Sequence, residues 1–193
     1  MRRVFFVALL VFGCLSKDAI TRQDSRVSLS RDRSAYAFAF STIVPKGFPK
    51  ALVVRATPIA MPRLQGSVAD WLAEFAAVPV PLREAVDRLQ PSENAFDASL
   101  FAPQVHLVTE ARIAQCFTGS DLEQNWAKFK ETFDSDRWVA VSEVLLTDDR
   151  LNALLYAETH CGGLCGEGDY LWLHRASPDS AWHLGKRILR WIS

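Results

Sequence analysis

The stretch His160 to Tyr170, HCGGLCGEGDY, places two cysteines, four of the chain's nine glycines and two carboxylates within eleven positions. Residues of these types at this spacing suit four kinds of chemistry: thiol exchange, metal ligation, phosphate binding, or a tight turn closed by a disulfide. If Gly162, Gly163 and Leu164 form a three-residue hairpin loop, Cys161 and Cys165 stand opposite each other, where paired Cα atoms lie about 4.5 to 5.5 Å apart. A disulfide takes about 4.4 to 6.8 Å, so the bond needs no distortion. Glycine supplies the positive φ that such a turn requires. So small a ring restricts few unfolded conformations and contributes about 2 kcal/mol, enough to fix a loop but not a fold.

The other three chemistries fit less well. Thiol exchange favours Cys-x-x-Cys at a helix N-terminus, which lowers the thiol pKa; here three residues intervene and the flanks read as strands. His160 adjoins Cys161, but neighbouring strand residues point to opposite faces. Zinc needs about four ligands, and the local set offers two thiolates and His160, with Cys116 or His106 as remote additions. The glycines lack the Gly-Lys-Ser/Thr ending of a phosphate loop. A disulfide is the expected state of Cys161 and Cys165, with no metal site and no cofactor. Elsewhere the chain has neither Gly-x-Ser-x-Gly nor His-Glu-x-x-His, and no catalytic residue is assigned. Asp148 and Asp149 read as a solvated turn, and Cys116 as a small buried hydrophobe.

The elements that must position this loop follow from the sequence pattern. From Arg137 onward come short β-prone runs, RWVAVSEVLLT, NALLYAETHC, GDYLWLHRA and WHLGKRILRWIS, separated by turn residues. They predict a four-stranded antiparallel meander. Counting outward from the cysteine pair sets Tyr156 opposite Tyr170 and Leu154 opposite Trp172, with Glu158, His160 and His174 near the same face. These residues are aromatic sheet cover or a partly polar ligand surface made of Tyr156, Glu158, His160, Tyr170, Trp172 and His174.

Helices precede the meander. SVADWLAEFAA opens at Ser67 and PLREAVDRLQ at Pro81; SDLEQNWAKFKETF opens at Ser120, with Glu123 three residues on and a stripe of Leu122, Trp126, Phe129 and Phe133. Trp71 and Trp126 read as core. SAYAFAFSTIV suits either a strand or a helix, and ALVVRATPI reads as a strand centred on Val53 and Val54. Helices first and sheet last predict the α+β class, with N-terminal helices packed on the meander.

Acids and bases number 22 each, so no overall field recruits nucleic acid. MRRVFFVALLVFGC has two arginines, an apolar run of about ten residues and then Cys14. Such a run is too short to span a bilayer and reads as a signal peptide over residues 1–13. Gly13-Cys14 resembles a bacterial lipobox, although Phe12 is bulky for it. The expectation is lipid attachment at Cys14, the alternative being ordinary cleavage a few residues later. Residues 14–31 read as a tether and 32–193 as one domain. Export makes a disulfide durable.

NALLYAETHCGGLCGEGDYLWLHR, the later Trp and the terminal RWIS resemble a family of small exported bacterial proteins ending in Cys-Gly-x-Leu-Cys-Gly-x-Gly and Trp-(Ile/Val)-Ser. AYAFAFSTIVPKGFPKALVVRATP resembles that family's opening segment. The resemblance implies export and a helix before the first strand, and it implies no activity. A looser architectural likeness is to nuclear transport factor 2-type cones, with helices against a curved sheet. The expected function is a noncatalytic, lipid-anchored domain of the bacterial cell envelope, facing the periplasm or the exterior, that binds a protein or small ligand. The alternative is an envelope enzyme, a thiol oxidoreductase or a hydrolase.

Overall fold

The computed structural model describes residues 26–44, 52–62, 73–88, 90–163 and 165–193. In chain order its elements are β1 (Val27–Ser30), α1 (Arg33–Ile43), β2 (Leu52–Arg55), α2 (Val80–Arg88), β3 (Val105–Val108), α3 (Glu110–Ala114) and α4 (Leu122–Phe133). Five strands follow: β4 (Trp138–Val141), β5 (Val144–Thr147), β6 (Asn152–His160), β7 (Glu167–His174) and β8 (His183–Ile192). Ser67, Trp71 and Cys14 lie outside the described residues.

Helices and a large sheet are both present, as expected, but the sheet is not a four-stranded meander. Among the described residues it has eight strands and is mixed. RWVAVSEVLLT, read as one strand, breaks at Ser142 and Glu143 into β4 and β5, and both halves lie along the same edge of β6. From this fork the sheet grows in two directions. β5 pairs antiparallel with β1, whereas β4 pairs parallel with β2, which pairs parallel with β3. The other edge of β6 carries β7 and then β8, both antiparallel. Val27–Ser30, at the end of the segment read as a tether, is therefore a sheet strand.

Side-chain alternation gives this sheet two buried faces. On one face Val54, Val139, Val141, Val144, Leu155 and Leu171 pack under α1 through its Tyr36, Ala39 and Ile43. The ambiguous Ala-aromatic segment is thus a helix, capped by Asp32, whose side chain accepts from the Ala35 N–H. On the other face there are two separate covers. Leu82, Ala85 and Val86 of α2 lie with Phe75 over Leu145, Leu154, Tyr156 and Tyr170. Phe129 and Phe133 of α4, with Ile113 and Cys116, lie over Val53 and Val108. A sheet covered on both faces explains why all four β5 residues are buried, with none of the alternation of a half-solvated strand.

The start of α4 differs by one residue from expectation. Its cap is Asp121, whose carboxylate accepts from the Glu123 and Gln124 N–H groups, and not Ser120. A carboxylate at this position also interacts favourably with the helix dipole. Of the expected stripe, Phe129 and Phe133 are buried, Trp126 is half-buried and Leu122 is 49 % exposed. Replacing Asp121 by Ala should lower stability in urea unfolding by about 1 kcal/mol, and replacing Ser120 by Ala should cost no more than a few tenths of that. The opposite ranking would return the cap to Ser120.

Candidate functional site

The hairpin β6–β7 has the register counted out from the cysteine pair: Leu154 faces Trp172, Tyr156 faces Tyr170 and Glu158 faces Gly168. At its tip Cys161 and Cys165 are joined as a disulfide, with Cα atoms 5.3 Å apart. Gly162 sits at φ 62°, the left-handed conformation that the turn needs. Cys116, buried in the α4 cluster, is a free thiol.

The six residues expected to share a surface do lie along one face of the hairpin, but in two exposed patches separated by a buried pair. Tyr156 and Tyr170 are fully buried, with ring centroids 5.0 Å apart. Phe75 meets the Tyr170 ring edge-on, and the Tyr170 hydroxyl donates to the Pro62 carbonyl. Beyond them on one side, Trp172 is half-buried, its indole N–H donating to Asn152, and His174 is exposed. On the other side, Glu158 and His160 fall between the cover made by α2 and the cover made by α4.

This second patch is a connected polar unit. The Trp191 indole N–H donates to the Tyr156 hydroxyl at 2.8 Å, and that hydroxyl donates to Glu158 Oε1 at 3.0 Å. Glu158 Oε2 lies 3.2 Å from His160 Nε2. The His160 ring stacks on Trp138 at a centroid distance of 3.9 Å and an interplanar angle of 11°. Trp138 reaches this position because it pairs with His160 as a rung of the β4–β6 ladder. Gly168 makes room: a Cβ there would fall on Trp191 Nε1 and the Tyr156 hydroxyl.

The electrostatics follow from these contacts. Burial acts to raise the Glu158 pKa, but hydrogen bonds from His160 and Tyr156, with the charge of His160, outweigh it and leave the carboxyl below its ordinary value. Burial and then the Glu158 charge push the Tyr156 phenol upward, so it remains a neutral donor. A carboxylate on Nε2 selects the tautomer that leaves His160 Nδ1 as an acceptor when the ring is neutral. The side chains of His160 and Glu158 are 28 % and 25 % exposed, within reach of a ligand. Among the described residues no three His, Cys, Asp or Glu side chains converge to hold a metal ion.

No motif in the sequence marks Trp138 or Trp191 as part of this unit. The signal for Trp138 is hidden, since the β4–β6 register follows only once the break at Ser142 is known. Trp191 reaches Tyr156 beside an irregularity in the β7–β8 pairing between Gly168 and Asp169.

These features define a mixed αβ domain in which helices cover both faces of one sheet and a hydrogen-bonded Glu–His pair occupies a gap in that cover. No family model matches the chain, nor does any curated protein or solved structure.

Two measurements follow from this geometry. Thiol titration of the denatured, nonreduced protein should label Cys116 and neither Cys161 nor Cys165, and the double change Cys161→Ser with Cys165→Ser should cost at most about 2 kcal/mol. A larger loss would mean that the ring holds more than its own loop. The second concerns pH. Because its folded-state pKa is depressed, Glu158 contributes stability that is present above its ordinary value of 4.5 and is lost as pH falls through the lower folded-state value. Glu158→Gln should therefore flatten the acid limb of the stability curve below about pH 5. An unchanged acid limb would show that the carboxylate gains nothing from its partners.

Proposed function

We propose that this chain is an exported, noncatalytic domain, anchored through lipid on Cys14, that binds a protein or small ligand at the bacterial cell envelope through the hairpin face around Glu158 and His160. One observation carries the binding part of this reading. Along β6 the residues of that face are buried through Leu154 and Tyr156, and then a carboxylate and an imidazole stand partly exposed between half-buried Trp138 and Trp191. A few fixed polar groups framed by aromatic rings are what a small-ligand or peptide site requires. Export is supported by the Cys161–Cys165 disulfide, compatible with a compartment outside the cytosol. No helix among the described residues is long and apolar enough to cross a membrane, so attachment in this reading rests on Cys14.

The hydrolase alternative draws on the same pair, since a histidine oriented by a carboxylate has the form of a general base. Its ring makes one hydrogen bond among the described residues, to Glu158, and no serine or threonine is joined to it. The binding reading therefore stands first.

Cys14→Ser should move the protein from the membrane fraction to the soluble envelope fraction, and membrane retention of that variant would refute the anchor. For the surface, envelope peptides and glycans can be screened by NMR for shifts of the Trp138 and Trp191 indole signals. Any hit should weaken by about tenfold in Glu158→Gln and in Trp138→Ala. Binding indifferent to both changes would place the ligand elsewhere. Turnover of a simple ester that vanishes in His160→Ala would favour the hydrolase.

A further inference from the structure

One residue beyond the Trp138–His160 rung, at the hairpin tip, lies a groove of about 430 Å³ between α4 and the disulfide loop. Its α4 wall is made by Glu123, Trp126, Ala127 and Lys130. These occupy positions i, i+3, i+4 and i+7, which places all four along one side of the helix. The facing wall is Cys161, Gly162 and Cys165. Near one end Gly163 approaches the Leu122 side chain, tying the loop to the start of α4.

The charges of this groove are arranged by position. Asp136 and Arg137 at its rim pair with each other at 3.3 Å. Glu123 and Lys130 are exposed, and neither has an ion-pair partner among the described residues. They stand seven positions apart on the helix, about 10 Å along the axis. Between them lie Ala127 and the half-buried ring of Trp126, which meets Phe117 and Phe129 edge-on. Among the described residues the groove therefore has an unpaired acid toward one end, an unpaired base toward the other, and an apolar floor facing a disulfide.

We propose that this groove binds a short peptide by its two free termini, the ammonium at Glu123 and the carboxylate at Lys130, with an apolar side chain on Trp126. Length follows from the spacing of the two residues along the helix. An extended residue spans at most about 3.3 to 3.6 Å, so about three residues bridge the pair. Both termini are ionised near neutral pH, which a zwitterionic ligand requires. The loop supplies a fixed wall, because the disulfide holds its shape with or without ligand. The proposal goes beyond the hairpin-face reading and does not depend on it.

The test uses the full-length protein with labelled indole groups and the peptide Ala-Leu-Ala. Binding should shift the Trp126 indole signal. Acetylating the N-terminus or amidating the C-terminus should each weaken binding by about three- to fivefold, the upper scale of an exposed ion pair. In Glu123→Gln acetylation should no longer matter, and in Lys130→Gln amidation should no longer matter. Ala-Leu, too short to reach both charges, and Ala-Leu-Ala-Ala-Ala, too long to seat both termini, should bind more weakly than Ala-Leu-Ala. Glu158→Gln should leave all of this unchanged. The proposal is overturned if Ala-Leu-Ala leaves Trp126 unshifted, if the blocked peptides bind as well as the free one, or if the two charge-neutral variants still distinguish them. Loss of binding in Glu158→Gln would move the peptide to the hairpin face and overturn it equally.

Discussion

The fork at Ser142 and Glu143 sets the geometry on which the rest of the sheet depends. Two short strands share one edge of β6, and between them the ladder must be interrupted without stranding buried backbone groups. Ser142 closes the gap twice: its N–H donates to the Tyr156 carbonyl, and its hydroxyl accepts from the Tyr156 N–H and donates to the Glu143 carbonyl. The Ser142 carbonyl takes the Tyr36 hydroxyl from α1. The neighbouring Glu143 carboxylate, 5 % exposed, accepts from Arg31 on one oxygen and from the Ser92 N–H on the other. A buried carboxylate is tolerated only when so fully partnered. Removing one of these groups would leave the buried ones among the others without a partner.

The fork also explains why one face of the sheet has two covers. Because β5 leads to β1 and β4 leads to β2 and β3, the sheet splays, and α2 and α4 each follow one branch. The hairpin β6–β7 serves both branches and is covered fully by neither. Its residues show this: Leu154 and Tyr156 belong to the α2 core, Trp138 borders the α4 core, and Glu158 and His160 lie between them. Glycines complete the fit where side chains of β7 and β8 lie on the same face. Gly168 admits the Trp191 indole, and Gly185 lies under Trp172, where a Cβ would come within 2.6 Å of the ring.

The parts of this arrangement that could be read from sequence are the local ones. The β6–β7 register follows from one short loop, since Cys161 opposite Cys165 fixes each rung back to Asn152 and His174. Helix α2 announced itself by the spacing of Leu82, Ala85 and Val86. The parallel pairings of β2 with β3 and β4 join residues far apart in the chain, with no turn between them to give a register. Val105–Val108 is only four residues long and its His106 interrupts the apolar pattern, so nothing local marks it as a strand. The break at Ser142 was equally hidden, because RWVAVSEVLLT has the composition of one unbroken strand. Ser120 and Asp121 are both good caps for α4, and only backbone geometry chooses Asp121.

Glu158 and His160 breach the pattern of their own strand, and the breach has a physical meaning. Leucine or valine at these positions would continue the apolar face and avoid the desolvation of a carboxylate, a substitution that is often neutral or stabilising. Instead both Glu158 oxygens are satisfied, one by Tyr156 and one by His160, and two tryptophans and a glycine are shaped around them. Asp169, one strand away on the other face, is the informative contrast. It is 1 % exposed and held by Arg187 at 2.6 Å, while its second oxygen has no partner among the described residues. Asp169 is sealed under the fold and can answer only to Arg187. Glu158 has both oxygens bonded and is still partly exposed, beside an imidazole whose second nitrogen has no partner among the described residues, the condition under which a polar pair can serve a ligand as well as the fold.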